Sequence, residues 1–186
     1  MKLFSSDYWD PSELILIGTF TGLIKSSTIL IALAGGGMNP VTLVLKNTVA
    51  TSLLLILVYK IRKFGVLTLF SIINSLISLL LVGGNAMGGG AISIAGVLFS
   101  GFVCDLFIAP KNGFRSPIRL TLGIGLFDLL SRTVSLGYSY FLYREQMGMF
   151  VMVAVVVTLG YFGCLMGLGT GIIFVKELRH AGIIRE

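Results

Sequence analysis

The sequence predicts an all-α membrane protein: a six-transmembrane-helix bundle with both termini cytoplasmic, forming one integral membrane domain over residues 1–186. Three observations predict it. The 186-residue chain is 55% hydrophobic and only 12% charged, with a mean hydropathy of +0.98. A soluble domain carries about 25% charged residues, so lipid is the natural solvent for this chain. Six apolar stretches, each near the ~20 residues that span ~30 Å of hydrocarbon, are separated by short breakers. Lys and Arg gather in alternate connections, which marks the cytoplasmic side.

The six spans are read at 13–34, 41–59, 65–82, 90–109, 117–141 and 149–175. Gly35-Gly36-Gly37-Met38-Asn39-Pro40 breaks the first from the second. Lys60-Ile61-Arg62-Lys63 forms a charged turn before the third, which is the shortest. The run GGNAMGGG from Gly83 to Gly90 precedes the fourth. PKNGFRSP, bounded by Pro110 and Pro117, precedes the fifth, and YREQMG from Tyr143 to Gly148 precedes the sixth. Lys60, Arg62 and Lys63, then Lys111, Arg115 and Arg119, then Lys176, Arg179 and Arg185 fall on one side. The alternate connections hold only Arg144, offset by Glu145. The first residues, MKLFSSDYWDPSE, are polar and acidic rather than a cleavable signal. Tyr8 and Trp9 are expected at the inner interface, where such rings prefer to sit.

The net charge of +6 is therefore topological, and no basic patch for nucleic acid is expected. Cys104 and Cys164 fall inside spans, without a CxxC pair, and read as small buried hydrophobes. His180 is the one histidine and lies in the tail, so a Ser-His-Asp or Cys-His set within the membrane is not expected. Neither HExxH nor GxxxxGK[ST] occurs. The chain is not expected to be an enzyme, and any ATP-driven transport would draw on partner subunits. No metal site and no covalently held cofactor are expected.

Ionisable groups inside a membrane are costly, so each is a functional candidate. Lys25 falls in span one, Lys46 in span two, and Asp128 and Arg132 in span five. Lys25 and Arg132 sit about 13 Å below the outer ends of their helices, and Lys46 about 9 Å below its own. Asp128 and Arg132 are four residues apart and can pair on one face, neutralising each other. Lys46 can snorkel outward. Lys25 has no such release. Convergence of Lys25, Lys46 and Arg132 would make an outward-facing pocket for a carboxylate or phosphate.

The outer connections carry Met38, Asn39, Asn85, Met87, Gln146, Met147 and Met149, with glycine around the first two groups. Glycine lets backbone approach a ligand, methionine adapts to flat apolar surfaces, and Asn and Gln supply neutral donors and acceptors. Together they would suit a lid over a planar, polar-edged molecule; otherwise they are ordinary turn and interfacial residues. Small residues stripe two spans, a pattern that allows close helix packing in lipid. Gly163, Gly167 and Gly171 are expected to pack internally. Gly18, Gly22 and Ser26 can instead dock a partner helix, although Lys25 lies about 20° from Gly18 at the edge of that face.

With these features placed, the chain resembles the substrate-binding S-components of energy-coupling factor (ECF) transporters over nearly its whole length. It is closest to the MptD-like (Trep_Strep) group. The stretches that carry the resemblance are LILIGTFTGLIKSSTILIALAGGGMNP, YKIRKFGVLTLFSIINSLISLLLVGG and GVLFSGFVCDLFIAP. The resemblance implies six helices with both ends cytoplasmic, in a bacterial cell membrane. It also implies a vitamin or related micronutrient bound near the outer face, and assembly with an ECF T-component and two ABC-type ATPases that use ATP. Such subunits are thought to topple in the bilayer to release cargo. Their first helix meets the T-component through a small-xxx-small motif, often AxxxA; Gly18 and Gly22 would fill that place, with glycine instead of alanine. Nickel and cobalt relatives hold metal through an N-terminal Met-His, and this chain begins Met1-Lys2-Leu3.

The expected ligand is thus an organic anion, either a vitamin or a tetrapyrrole such as haem, whose propionates would suit the cations. The competing expectation is a structural or assembly subunit of a membrane complex with no small-molecule ligand.

Overall fold

The computed structural model describes residues 8–35, 39–82, 89–109, 114, 116–143 and 147–182. Its elements are six α-helices: α1 (Pro11–Gly35), α2 (Pro40–Ile61), α3 (Val66–Val82), α4 (Gly89–Ile108), α5 (Pro117–Tyr143) and α6 (Met147–His180). No strand occurs among the described residues. Among the described residues, four helices, α1, α2, α5 and α6, are long and apolar enough to cross a membrane. The stretches Val66–Leu80 of α3 and Ile94–Ile108 of α4 are apolar but shorter.

Helix limits follow local chemistry. Pro11, Pro40 and Pro117 open three helices, a position where a missing N–H costs nothing. Asp10 caps α1: its Oδ1 accepts from the Ser12 N–H at 3.1 Å, while Glu13 Oε2 accepts from the Asp10 N–H at 3.1 Å, a reciprocal capping box. Asn39 caps α2, its Oδ1 accepting from the Val41 N–H at 3.0 Å. At the far end of α2, Arg62 takes a left-handed conformation (φ 48°), and its N–H returns to the Val58 carbonyl. Gly65, at φ +93°, turns the chain into α3 against Trp9. The last helix continues to His180, five residues beyond the expected span. Lys176, Glu177 and Arg179 are good helix formers, and a helix is not obliged to stop where the hydrocarbon does.

Sequential helices alternate in direction. The helix order around the bundle is α1, α3, α4, α5, α6, α2, and α2 also touches α3 and α5. One end carries Lys63, the start of α1 and the end of α6. The other carries Gly35 and Asn39.

The most extensive contact is α2 on α6, which run parallel. Methyl groups at Gly163 and Gly167 would lie 2.6 and 2.7 Å from the Val44 and Thr48 carbonyl oxygens, and one at Gly171 would lie 2.8 Å from Leu55. Only glycine allows this approach. The stripe expected to pack internally does so, and hydroxyls knit it: Thr48 donates to the Gly163 carbonyl at 3.1 Å and Ser52 to the Gly167 carbonyl at 3.0 Å.

The exterior is apolar. Leu30, Leu33, Leu80, Ile118, Phe141 and Ile173 are exposed, while Thr21, Ser71, Ser100 and Asp105 are fully buried. A lipid environment covers the first set, and the second is placed where helices can satisfy it or pack closely.

Candidate functional site

Helices α1, α2, α3 and α5 enclose a chamber of about 200 Å³, which no described residue of α4 or α6 lines. Its chemistry is layered. Towards the Asn39 end stand Lys25 and Thr28 of α1, Asn47 of α2, Asn74 of α3 and Asp128 of α5. Towards the Lys63 end stand Ile24, Leu54, Phe70, Ile124 and Phe127. The two rings meet edge to face with centroids 6.3 Å apart, closing the floor. A polar layer thus stands above an apolar one.

Lys25 reaches the chamber because of its place on α1. Ile17, Thr21 and Ile24 form that helix's buried face, and Lys25 lies about 40° from Thr21 and about 20° from Gly18. It stands between the buried face and the small-residue stripe and turns inward. Its Nζ donates to Ser78 Oγ of α3 at 2.8 Å, and that hydroxyl donates to the Asn74 carbonyl at 2.7 Å. Among the described residues this is the only hydrogen bond of the Lys25 side chain, which forms no ion pair. An ammonium has three donors, so two remain for whatever occupies the chamber.

Arg132 is the opposite case. Its Nε donates to Asp128 Oδ2 at 2.6 Å and its Nη2 to Asn47 Oδ1 at 2.7 Å. Asn47 in turn donates to the Leu43 carbonyl at 2.6 Å, which fixes the amide's orientation. Room for the guanidinium comes from Gly160 of α6, where any side chain would collide with Arg132 Nη1. The i, i+4 pair expected from the spacing is formed and is mostly screened from solvent.

The sequence-derived candidates thus divide. Lys25 and Asp128 line the chamber, and Arg132 joins its wall through Asp128 and Asn47. Lys46 is half-buried and is not one of the lining residues. It is the residue next to Asn47, a turn of about 100° that moves its side chain to another face. Asn39 serves as a helix cap. Met147 and Met149 are exposed on the first turn of α6 and do not line the chamber. Met38, Asn85, Met87 and Gln146 lie outside the described residues. Gly18 and Gly22 have no atom of another element within 4 Å of where a side chain would begin, and Ser26 is exposed. That face of α1 is uncovered by the chain's own helices.

Other polar residues at or beside the chamber were not singled out from sequence: Asn47, Asn74, Ser78, Thr28 and Thr51. Asp105 was also missing from the intramembrane charges. It is fully buried near the end of α4 and caps α3 from outside. Its Oδ2 accepts from the Thr68 N–H at 2.8 Å and hydroxyl at 2.6 Å, and its Oδ1 from the Leu67 N–H at 3.3 Å. A carboxylate at a helix N-terminus satisfies otherwise orphaned donors, so its role is to fasten α3 to α4. An Asp within an apolar run, near a span's basic end, was the available signal. Cys104 and Cys164 are buried free thiols, as expected. Among the described residues, no three of His, Cys, Asp and Glu gather closely enough to hold a metal ion.

No curated protein and no solved structure matches this chain. A family model described as a hypothetical bacterial integral membrane protein (Trep_Strep) matches residues 12–147, which takes in all four helices of the chamber. An apolar exterior and this match over most of the sequence lead to one assignment: the chain belongs to the Trep_Strep family of bacterial integral membrane proteins.

Proposed function

We propose that the protein is the substrate-binding S-component of an ECF-type importer. It captures a small vitamin-like or other micronutrient, an organic anion, in the four-helix chamber at the outer face. It then delivers that molecule inward with a T-component and two ABC-type ATPases. On this reading all six helices cross the bilayer, and the Lys63 end, which gathers Lys60, Arg62 and Lys63, faces the cytoplasm with both termini. The observation that carries the reading is Lys25: a cation within a span, facing a cavity, with a single neutral hydroxyl as partner. A charge in that position is costly unless something of opposite sign completes it.

The chamber's size refines the ligand. Drug-sized ligands occupy cavities of about 300–1,000 Å³, and about 200 Å³ favours a smaller molecule over a tetrapyrrole such as haem. The exposed Met147 and Met149 offer no ligand to iron inside the chamber. The uncovered Gly18–Gly22–Ser26 face of α1 supports docking on the T-component, since small residues let a partner helix approach. The same face also suits the second reading, a structural or assembly subunit that binds no small molecule.

Co-expression of the tagged chain with the T-component and ATPases of its own bacterium tests the proposal. The importer reading expects the partners to co-purify and a small molecule to be taken up at the cost of ATP. Purification without ATPases and without any retained small molecule would favour the assembly reading.

A further inference from the structure

The chamber has two poles, and their spacing in the fold says what kind of molecule fits between them. Lys25 belongs to α1 and Asp128 to α5, and the backbones of these two helices stand apart. Helices α2 and α3 stand between them, each presenting one amide, Asn47 and Asn74. The cationic and anionic side chains therefore come from opposite walls, with neutral amides on the other two. Asp128 spends Oδ2 on Arg132, but a carboxylate accepts about four hydrogen bonds and keeps capacity for more. Lys25 keeps two donors.

Charge balance decides the ligand's net charge. Asp128 and Arg132 cancel, leaving the single positive charge of Lys25 to be compensated. A monoanion completes the chamber, whereas a zwitterion or a neutral molecule leaves it one charge out of balance. The Asp128 pole adds a second requirement: the end of the ligand facing it must donate a hydrogen bond without carrying a negative charge. Size adds a third. A chamber of about 200 Å³ lies below the range of drug-sized sites, about 300–1,000 Å³, and so takes only a small molecule.

Resting on the binding-subunit reading, we infer that the chamber takes a small monocarboxylate whose far edge carries a neutral N–H donor, as in a ring amide or ureide. The carboxylate meets Lys25, the N–H meets Asp128, and the body of the molecule lies on the floor of Phe70 and Phe127. Asn47 is held by Arg132 and Leu43, so Asn74 is the amide that adjusts to the ligand's remaining polar edge.

Calorimetric titration of the full chain in lipid nanodiscs with three flat probes tests this. Orotate has a carboxylate and ring N–H groups, benzoate has the carboxylate alone, and uracil has the ring N–H groups alone. Orotate is expected to bind at least tenfold more tightly than either. Lys25→Met is expected to weaken orotate at least tenfold and leave uracil unchanged, which also shows that the variant is folded. Benzoate equalling orotate would remove Asp128 from recognition, and uracil equalling it would remove Lys25; either result overturns the inference. Failure of all three probes to bind overturns it as well. Mass spectrometry of molecules that co-purify then separates the two levels. A retained small molecule leaves the binding-subunit reading standing, and none removes both.

Discussion

Lys63 and Lys25 carry the same charge on the same stem, yet their surroundings run opposite to need. Lys63 lies at the end of the bundle, in the short turn between α2 and α3, where water or lipid headgroups can solvate it. It is nevertheless fully engaged. It pairs with Glu13 at 2.6 Å, donates to the Tyr8 carbonyl at 3.0 Å, and sits 5.7 and 5.9 Å from the Tyr8 and Trp9 ring centroids. The N-terminal segment is clasped to the turn by these contacts and by the Tyr8 hydroxyl, which accepts from the Phe64 N–H. Lys25 lies ten residues before the end of α1, about 15 Å along the helix from it, and has Ser78 alone. A lysine that only had to stabilise the fold would be compensated most where solvation is poorest. The reverse pattern is what the proposed binding role of Lys25 expects.

The largest effect is expected at Lys25 itself. Lys25→Met should lower affinity for the bound anion by up to about a hundredfold, the upper range for a hydrogen bond to a charged group, about 3 kcal/mol. Titration of the ligand recovered from the wild type into both proteins checks it, and equal affinities would place the ligand elsewhere.

Next in size is Gly160→Val. A branched side chain there collides with the Arg132 guanidinium and pushes it from Asn47 and Asp128. Overpacking of this kind costs about 1–3 kcal/mol. A lower melting temperature in detergent, partly restored by Arg132→Lys with its slimmer head, is the expected outcome; a stability equal to wild type would show that the cluster repacks freely.

Asp105→Ala should cost about 1–2 kcal/mol, the range for a lost helix cap. Its three donors, two from Thr68 and one from Leu67, lie in a dry interface. The loss should read as faster hydrogen exchange confined to the first turn of α3. Uniform exchange across α3 and α4 would contradict a capping role.

The smallest effect belongs to the clasp. Glu13→Gln removes the partner of a partly exposed pair, with side chains 22% and 32% accessible, and such pairs contribute about 0–1 kcal/mol. Thermal stability should barely move and ligand affinity not at all. A large loss of affinity would tie the two lysines together and contradict separate roles for them.

Much of the fold was legible because lipid imposes simple rules. Prolines and glycine runs had to fall between spans, and Pro40, Val66 and Pro117 begin helices within a residue of the expected limits. Helix α6 runs to His180, past the expected span, because hydropathy reports where lipid ends, not where helix ends. The site was legible only in its charges. Lys25, Asp128 and Arg132 stand out from an apolar background. Asn47, Asn74 and Ser78 do not, since a neutral amide or hydroxyl in a span is as often satisfied by its own helix, as Thr133 and Thr158 are here. Lys46 looked equivalent to Lys25 by depth, and only rotation about α2 separates it from the chamber. The Gly163–Gly167–Gly171 and Gly18–Gly22–Ser26 stripes read alike in sequence. Which one the chain covers itself depends on helix order around the bundle, and spacing carries no information on that.

The most direct measurement on the central claim is the melting temperature of ligand-stripped wild type and of ligand-stripped Lys25→Met, compared in the same detergent. If Lys25 is held for a ligand, removing an uncompensated charge leaves the empty protein as stable as before or more so, since apolar replacement of a poorly paired buried charge is neutral or stabilising. Added ligand should then raise the melting temperature of the wild type alone. A clear loss of stability in the empty Lys25→Met protein would mean that the Lys25–Ser78 bond serves the fold, and would contradict the account.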